Sequence, residues 1–218
     1  MIPLPILLPA ISGLIAGCLV WWTARWFGVR YRLQSQKVIS SADGVWRRAA
    51  IVIIAMTLWG VYVGAKAPSL ALAASALVVT AILLCIALVD FQMRRIPDAL
   101  VVALLVGAAV QFVWLDQSTP LAIIAGMLIA GGLFLVLRIV SRGQMGLGDV
   151  KLEAALGALL GFPAIMTAML LGVIIGGLAA IALLVSKRAG RKDPLAYGPY
   201  LALGAWIVLV RVWGLWPG

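Results

Sequence analysis

The chain contains no histidine and only two cysteines, Cys18 and Cys85. The lack of histidine excludes serine and cysteine nucleophiles that depend on a histidine base. A zinc site of the usual kind needs about four Cys or His ligands, so the sequence also predicts that no such metal is bound. Both cysteines lie inside apolar segments and outside any Cys-x-x-Cys motif. We therefore predict that they are packing residues.

Charged residues are also scarce, at 11% of the chain, whereas 65% of the residues are hydrophobic. Soluble domains average about 25% charged residues, so this composition indicates an all-α polytopic membrane protein. A membrane helix needs about 20 apolar residues. We predict eight such helices, at residues 4–27, 49–65, 70–89, 98–115, 120–140, 149–162, 164–185 and 199–213. No domain boundary is evident, so residues 1–218 are interpreted as one membrane-embedded domain.

The net charge of +10 results from 17 basic and 7 acidic residues. No soluble, basic segment with interspersed aromatic residues is present, so we predict no nucleic-acid partner. Fifteen of the 17 basic residues fall in four stretches on one side of an eight-helix topology: 25–48, 94–95, 138–151 and 187–192. Because basic loops stay in the cytoplasm, this asymmetry places both termini on the outer side. The basic loop at residues 28–48 is too short to form a domain.

The acidic residues Asp90 and Asp149 lie at ends of predicted membrane helices, on the cytoplasmic side. Asp90 follows an apolar segment, and Asp149 lies in Gly146-Leu-Gly-Asp-Val-Lys-Leu152. A carboxylate near hydrocarbon is costly, so such residues usually have a function. Two carboxyls about 3 Å apart cannot both ionise; one can therefore activate water while the other protonates a peptide carbonyl. We predict that Asp90 and Asp149 are the catalytic pair of an aspartic protease, in motif regions 85–98 and 143–161.

The residues around Asp149 suggest supporting roles. Gly146 and Gly148 have no side chain, so the backbone can adopt unusual torsions or leave room for an extended peptide. Lys151 is a candidate for tuning the pKa of Asp149 or for binding a lipid phosphate. For Asp149 alone, the alternative is a helix-capping acid that accepts backbone N–H bonds.

The other acidic residues of these regions also have structural alternatives. The alternative prediction for Asp90 is an ion pair with Arg94 or Arg95. Asp98 follows a proline and is predicted to cap the fourth helix. Glu153 is predicted to be a surface acid, with a third acid of the site as the alternative.

The two aspartate segments and a third segment, Tyr197-Gly-Pro-Tyr-Leu-Ala-Leu-Gly204, resemble the type IV prepilin peptidases. These are membrane aspartic proteases with a Gly-x-Gly-Asp motif, and the third segment is similar to their Phe-Gly-Pro element. The three motifs occur in the family's order over about residues 80–210. The resemblance assigns catalytic or motif roles to six residues: Asp90, Asp149, Gly146, Gly148, Gly198 and Pro199.

The resemblance also implies a substrate and a location. Such enzymes remove the short basic leader of type IV prepilins or type II secretion pseudopilins, after a glycine, at the cytoplasmic face. We therefore expect a prepilin or pseudopilin substrate, a bacterial inner-membrane location and periplasmic termini. Because the leader is itself positive, the basic loops are expected to bind anionic lipid.

The sequence resembles a short form of the family. Longer members carry a four-cysteine zinc site between the first two helices, whereas residues 29–45 contain no cysteine. Many members also N-methylate the product with S-adenosylmethionine. With so short a loop, we expect peptidase activity alone and no cofactor.

Two alternatives from other functional classes stay open. Buried acids can serve proton relays, which would suit a small proton-coupled membrane transporter. A catalytically silent scaffold for a secretion machine is the other. Both aspartates lie toward one face, and no pair of broken helices is evident, so the sequence favours the peptidase.

Overall fold

The computed structural model describes residues 4–32, 42–115, 119–142, 145–186 and 196–216. Across these ranges the fold is entirely helical. The helices are α1 (Leu4–Arg32), α2 (Ala42–Lys66), α3 (Leu70–Met93), α4 (Asp98–Leu115), α5 (Pro120–Val140), α6 (Leu147–Leu160), α7 (Ala164–Val185) and α8 (Gly198–Val212). The predicted all-α fold is confirmed, and each predicted helix is found at its expected place in the chain.

The helix ends on the predicted cytoplasmic side extend beyond the apolar segments. α1 continues to Arg32 and α2 begins at Ala42, so the basic loop predicted at residues 28–48 is helical at both of its ends. α3 likewise continues one turn past Asp90, to Met93. Apolar length measures only the part of a helix that lies in lipid, and polar residues can continue a helix into water.

Several helices can span a membrane. Within the described residues, four are long and apolar enough: Ala49–Lys66, Leu70–Met93, Pro120–Val140 and Ala164–Val185. Asp98–Val113 and Gly198–Val212 are shorter apolar helices. α6 belongs to neither group, because its 14 residues span roughly 21 Å, less than the ~30 Å of hydrocarbon. The chain is a helical membrane protein; eight crossings and the side of the termini stay predictions.

α6 is enclosed by other helices. It contacts α4, α5, α7 and α8, and its buried residues follow one another almost without a break from Leu152 to Leu160. Against α5 the two backbones meet at Gly126 and Gly157. A Cβ atom on Gly157 would lie 2.6 Å from the carbonyl carbon of Gly126 and 2.8 Å from the backbone nitrogen of Met127. Only glycine therefore permits this helix spacing.

α4 and α8 bring the ends of α3 and α6 near one another. Each of these two helices contacts both α3 and α6, while α3 and α6 have no contact of their own within the described residues. Between α3 and α8, the indole N–H of Trp206 donates to the hydroxyl oxygen of Thr80 at 3.2 Å. The two aspartates are thus positioned through intermediate helices and not by direct packing of their own.

Candidate active site

Asp90 lies in the last turn of α3 and is buried, with 4% of its surface exposed. The helix ends at Arg94, which has a φ of 53° and donates its backbone N–H to the carbonyl oxygen of Asp90. The side chain of Asp90 accepts the backbone N–H of Gly198 at Oδ2, at 3.0 Å. In the described part of the chain, neither Arg94 nor Arg95 forms an ion pair with it, so the alternative prediction for Asp90 is not supported.

Gly198 is the first residue of α8, where backbone N–H groups have no partner within the helix. The partial positive charge of a helix N-terminus favours a carboxylate at this point. A Cβ atom on Gly198 would lie 2.7 Å from Oδ2 of Asp90 and 3.0 Å from its Cγ. Glycine is therefore needed for the contact. Pro199 follows in the first turn of α8, where proline's missing N–H removes no helix hydrogen bond.

Asp149 lies in the first turn of α6, whose N-cap residue is Gly146. The Asp149 carboxylate accepts the backbone N–H of Gly146, which is the reciprocal half of a capping box. The capping alternative predicted for Asp149 therefore describes part of its environment. Accepting this N–H orients the carboxyl and leaves its other lone pairs free.

The structure brings the two predicted catalytic aspartates to one cavity of about 410 Å³. Its lining consists of Asp90, Arg94, Arg95, Ile96, Pro97, Asp98, Gly146, Leu147, Gly148 and Asp149. Burial and, secondarily, the charge of Asp90 raise the pKa of Asp149 to about 6, against the N–H of Gly146, which lowers it. A carboxyl with this pKa exchanges its proton near neutral pH, as an acid–base group must.

The two motif glycines contribute space. Gly146 has a φ of −66°, a value that any residue can adopt, so no unusual torsion is needed there. A Cβ atom at this position would lie 3.2 Å from Oδ2 of Asp149. On Gly148, a Cβ atom would lie 3.2 Å from the Cβ of Ile96 in the α3–α4 connection. Gly146 therefore leaves room for the carboxyl of Asp149, and Gly148 leaves room for Ile96.

Lys151 pairs with Asp98 and not with Asp149. Its Nζ lies 2.8 Å from Oδ1 of Asp98, and the two side chains are 49% and 71% exposed. Asp98 is the first residue of α4, so the pair joins α4 to α6 at the cavity. Ion pairs this exposed contribute about 0–1 kcal/mol, so this pair adds little to stability.

The prediction that Glu153 is a surface acid is wrong. Its side chain is 1% exposed, and its Oε2 atom has no hydrogen-bond partner in the described structure. Burial and, secondarily, Asp149 raise the pKa of Glu153 to about 8. The sequence signal that favours its alternative role is spacing, because residues four apart share one face of a helix.

The comparison with known families concerns the segment that holds both aspartates. Residues 77–181 match the type IV leader peptidase family. This segment belongs to the type IV leader peptidase family. The leader peptidase segment includes α6 and ends before α8, so Gly198 lies outside the matched residues. No solved structure was found to match the chain.

Curated relatives of the chain include several proteins named "Prepilin leader peptidase/N-methyltransferase". The protein of Aeromonas salmonicida is 34% identical over 172 residues, which are 75% of this chain and 54% of the relative. That of Pseudomonas aeruginosa is 30% identical over 191 residues, with 85% and 65% covered. That of Dickeya chrysanthemi is 35% identical over 156 residues, with 68% and 54% covered. The chain spans about half the length of the first of these relatives.

The methyltransferase in the relatives' name raises the question of a methyl donor such as S-adenosylmethionine. Two further cavities in the described part of the chain have volumes of about 660 and 550 Å³. Neither is lined by a charged residue. Their polar lining residues include Ser12 and Thr23 in the first cavity and Tyr62 and Thr80 in the second. The carboxylate and ammonium groups of S-adenosylmethionine would have no oppositely charged partner in either lining, so these cavities do not fit the group. Nor do the described residues contain a cluster of three or more metal-ligating side chains.

Proposed function

We propose that the protein is a prepilin leader peptidase that removes the basic leader of type IV prepilins or pseudopilins at the cytoplasmic face of a bacterial inner membrane. The observation that carries the proposal is the shared cavity of Asp90 and Asp149. The family match and the names of the relatives support the substrate class. The proposed reaction uses no metal and no cofactor, and N-methylation of the product is not part of it.

In the proposed reaction, Asp90 and Asp149 act as one unit that holds a single proton. The ionised carboxyl takes a proton from water, and the water oxygen attacks the carbonyl carbon of the scissile peptide. The protonated carboxyl gives its proton to the carbonyl oxygen. When the tetrahedral intermediate breaks, the C–N bond is broken and the nitrogen takes up the proton that the pair had received from water. One hydroxyl of the intermediate gives its proton back to the pair as the carbonyl group of the new carboxyl terminus forms. The pair returns to one shared proton, so no other reactant is consumed.

Hydrolysis by the full chain in anionic-lipid vesicles tests the function. The substrate is a synthetic prepilin with a basic leader, a glycine before the expected cleavage site and an apolar helix. We expect cleavage after that glycine, detected by mass spectrometry, and no added methyl group when S-adenosylmethionine is present. A substrate with a bulky residue in place of the glycine should stay intact. An uncut glycine substrate, under conditions in which a curated relative cuts it, would reject the proposal.

The pH dependence of this reaction follows from the raised pKa of Asp149. Its ordinary pKa is 3.8, and the value in the site is about 6. Because the charge of ionised Asp90 contributes to this rise, the value describes loss of the one proton that the pair shares. As the pH rises above about 6, Asp149 loses this proton beside ionised Asp90, and no carboxyl is left to protonate the peptide carbonyl. We therefore expect kcat/KM to fall about tenfold for each unit above pH ~6. An unchanged rate between about pH 5 and about pH 8 would contradict the raised pKa of Asp149.

Gly198→Ala is expected to slow cleavage without unfolding the protein. The added Cβ would lie 2.7 Å from Oδ2 of Asp90, so the carboxyl must rotate or α8 must shift. A displacement of about 1 Å in a catalytic group can cost about 100-fold, and we expect a fall in kcat of about 10- to 100-fold. Gly177→Ala on α7 is the matched control, because its Cβ meets nothing within 4 Å. Equal rates for the two variants would contradict the role of the Gly198 contact.

A further inference from the structure

Glu153 is a buried ionisable residue that the proposed reaction does not use. It lies on α6 four residues after Asp149, so the two side chains share a face of the helix about one turn apart. Its side chain is 1% exposed, and its Oε2 atom has no hydrogen-bond partner among the described residues. A buried carboxylate without a partner is strongly destabilising. The position therefore requires either a nearby cation or a neutral carboxyl.

The described structure provides no ion pair for Glu153. The helices packed on α6, together with their cap residues, carry few ionisable side chains. These are Asp98 on α4, Arg138 on α5, Tyr197 before α8, and Tyr200 and Arg211 on α8; α7 carries none. Asp98 is paired with Lys151, and Arg138 donates to the carbonyl oxygen of Met145. Arg211 lies in the last turn of α8, at the end away from Gly198. The charge that Glu153 does meet is that of Asp149, which has the same sign.

We propose that Glu153 is a positioning residue for Asp149: its neutral, protonated carboxyl lies one helical turn behind Asp149 and keeps this part of the site to a single negative charge. The part of the proposal that concerns catalysis rests on the proposed peptidase function, whereas the protonation of Glu153 does not. Below the pKa of Glu153, at about 8, Asp149 can ionise without a second charge beside it. Above that pH, ionised Glu153 opposes loss of the last proton that Asp90 and Asp149 share.

Infrared spectroscopy of the membrane-reconstituted full chain tests the protonation state without any substrate. We expect the wild type to show a protonated-carboxyl C=O band at pH 7 that disappears as the pH rises through about 8. Glu153→Gln, which keeps the side-chain volume and stays neutral, should lack this component. In Asp149→Asn the band should persist but titrate at lower pH, because a negative neighbour is gone. A Glu153→Gln spectrum that titrates like the wild type, or an Asp149→Asn midpoint that does not move, would overturn the proposal.

The pH profile of cleavage tests the link to Asp149. We expect Glu153→Gln to retain kcat within about threefold at neutral pH and to leave the acidic limb in place. Below about pH 8 the profiles of the variant and the wild type should coincide, because Glu153 is neutral there. Above that pH the Glu153→Gln rate should fall about tenfold further than the wild-type rate, because glutamine cannot become the negative charge that favours a proton on Asp149. A residue that only fills space would change the rate by the same factor at every pH.

The two proposals fail separately. If the wild type cleaves prepilin and the Glu153→Gln profile does not separate from the wild-type profile above about pH 8, the inference about Glu153 is wrong and the peptidase function stands. If the wild type cleaves nothing, the peptidase function is wrong, and the infrared titration still decides whether Glu153 is protonated at neutral pH.

Discussion

Asp149→Asn is expected to lower the rate of prepilin cleavage by about a thousandfold or more. Asparagine keeps the shape of the side chain, and its amide oxygen can still accept the N–H of Gly146, but it cannot take a proton from water. Asp90→Asn should cause a similar loss, since its amide oxygen can keep the N–H of Gly198 without holding the shared proton. The double variant should be no slower than either single variant, because residues that act as one unit are not additive.

The measurement is the initial rate of leader removal in vesicles, with insertion and thermal unfolding followed in parallel. Asp116→Asn is a matched control, because it removes a carboxyl that lies outside both aspartate motifs in the sequence. We expect the control to cleave at the wild-type rate. Wild-type cleavage by Asp90→Asn or Asp149→Asn would remove the two-aspartate mechanism, whatever the family of the chain.

Gly157→Ala is expected to destabilise the protein by about 3 kcal/mol. The new Cβ would lie 2.6 Å from the carbonyl carbon of Gly126 and 2.8 Å from the nitrogen of Met127. Both are backbone atoms, so no side-chain rotation can relieve the overlap, and α5 and α6 must separate. Because α6 carries Asp149, activity should fall together with stability.

Gly132→Ala on α5 is the control for this substitution. A Cβ at Gly132 meets nothing within 4 Å, and alanine is the better helix former by about 1 kcal/mol. We expect its thermal unfolding in detergent to occur at the wild-type temperature or slightly above, and that of Gly157→Ala to occur several degrees lower. Equal unfolding temperatures for the two variants would contradict a close backbone contact between α5 and α6 at Gly126 and Gly157.

The sequence predicts the helices well because membrane helices follow apolar length. It also predicts that Asp90 and Asp149 lie on the same side of the membrane, because the number of helices between them determines the side on which each lies. That count needs the alternation of basic stretches, and much of the 25–48 and 187–192 stretches lies outside the described residues. The orientation in the membrane therefore stays a prediction, although the shared cavity agrees with it.

The burial of Glu153 could not be predicted from periodicity. An amphipathic pattern marks the buried face of a helix only if the other face meets solvent. α6 contacts four other helices and is buried on most of its circumference, so its pattern carries no information about which polar residue is exposed. The contact of Asp90 with Gly198 was likewise absent from the prediction, because it joins residues of two helices that are distant in the chain.

The hydrogen bond between Asp90 and Gly198 has a consequence for engineering. The family match ends at residue 181. A chimera in which residues 77–181 replace the matching part of a relative would therefore contain both carboxyls of this chain. The backbone amide that binds Asp90 would come from the relative. The smallest transferable unit must extend through the start of α8.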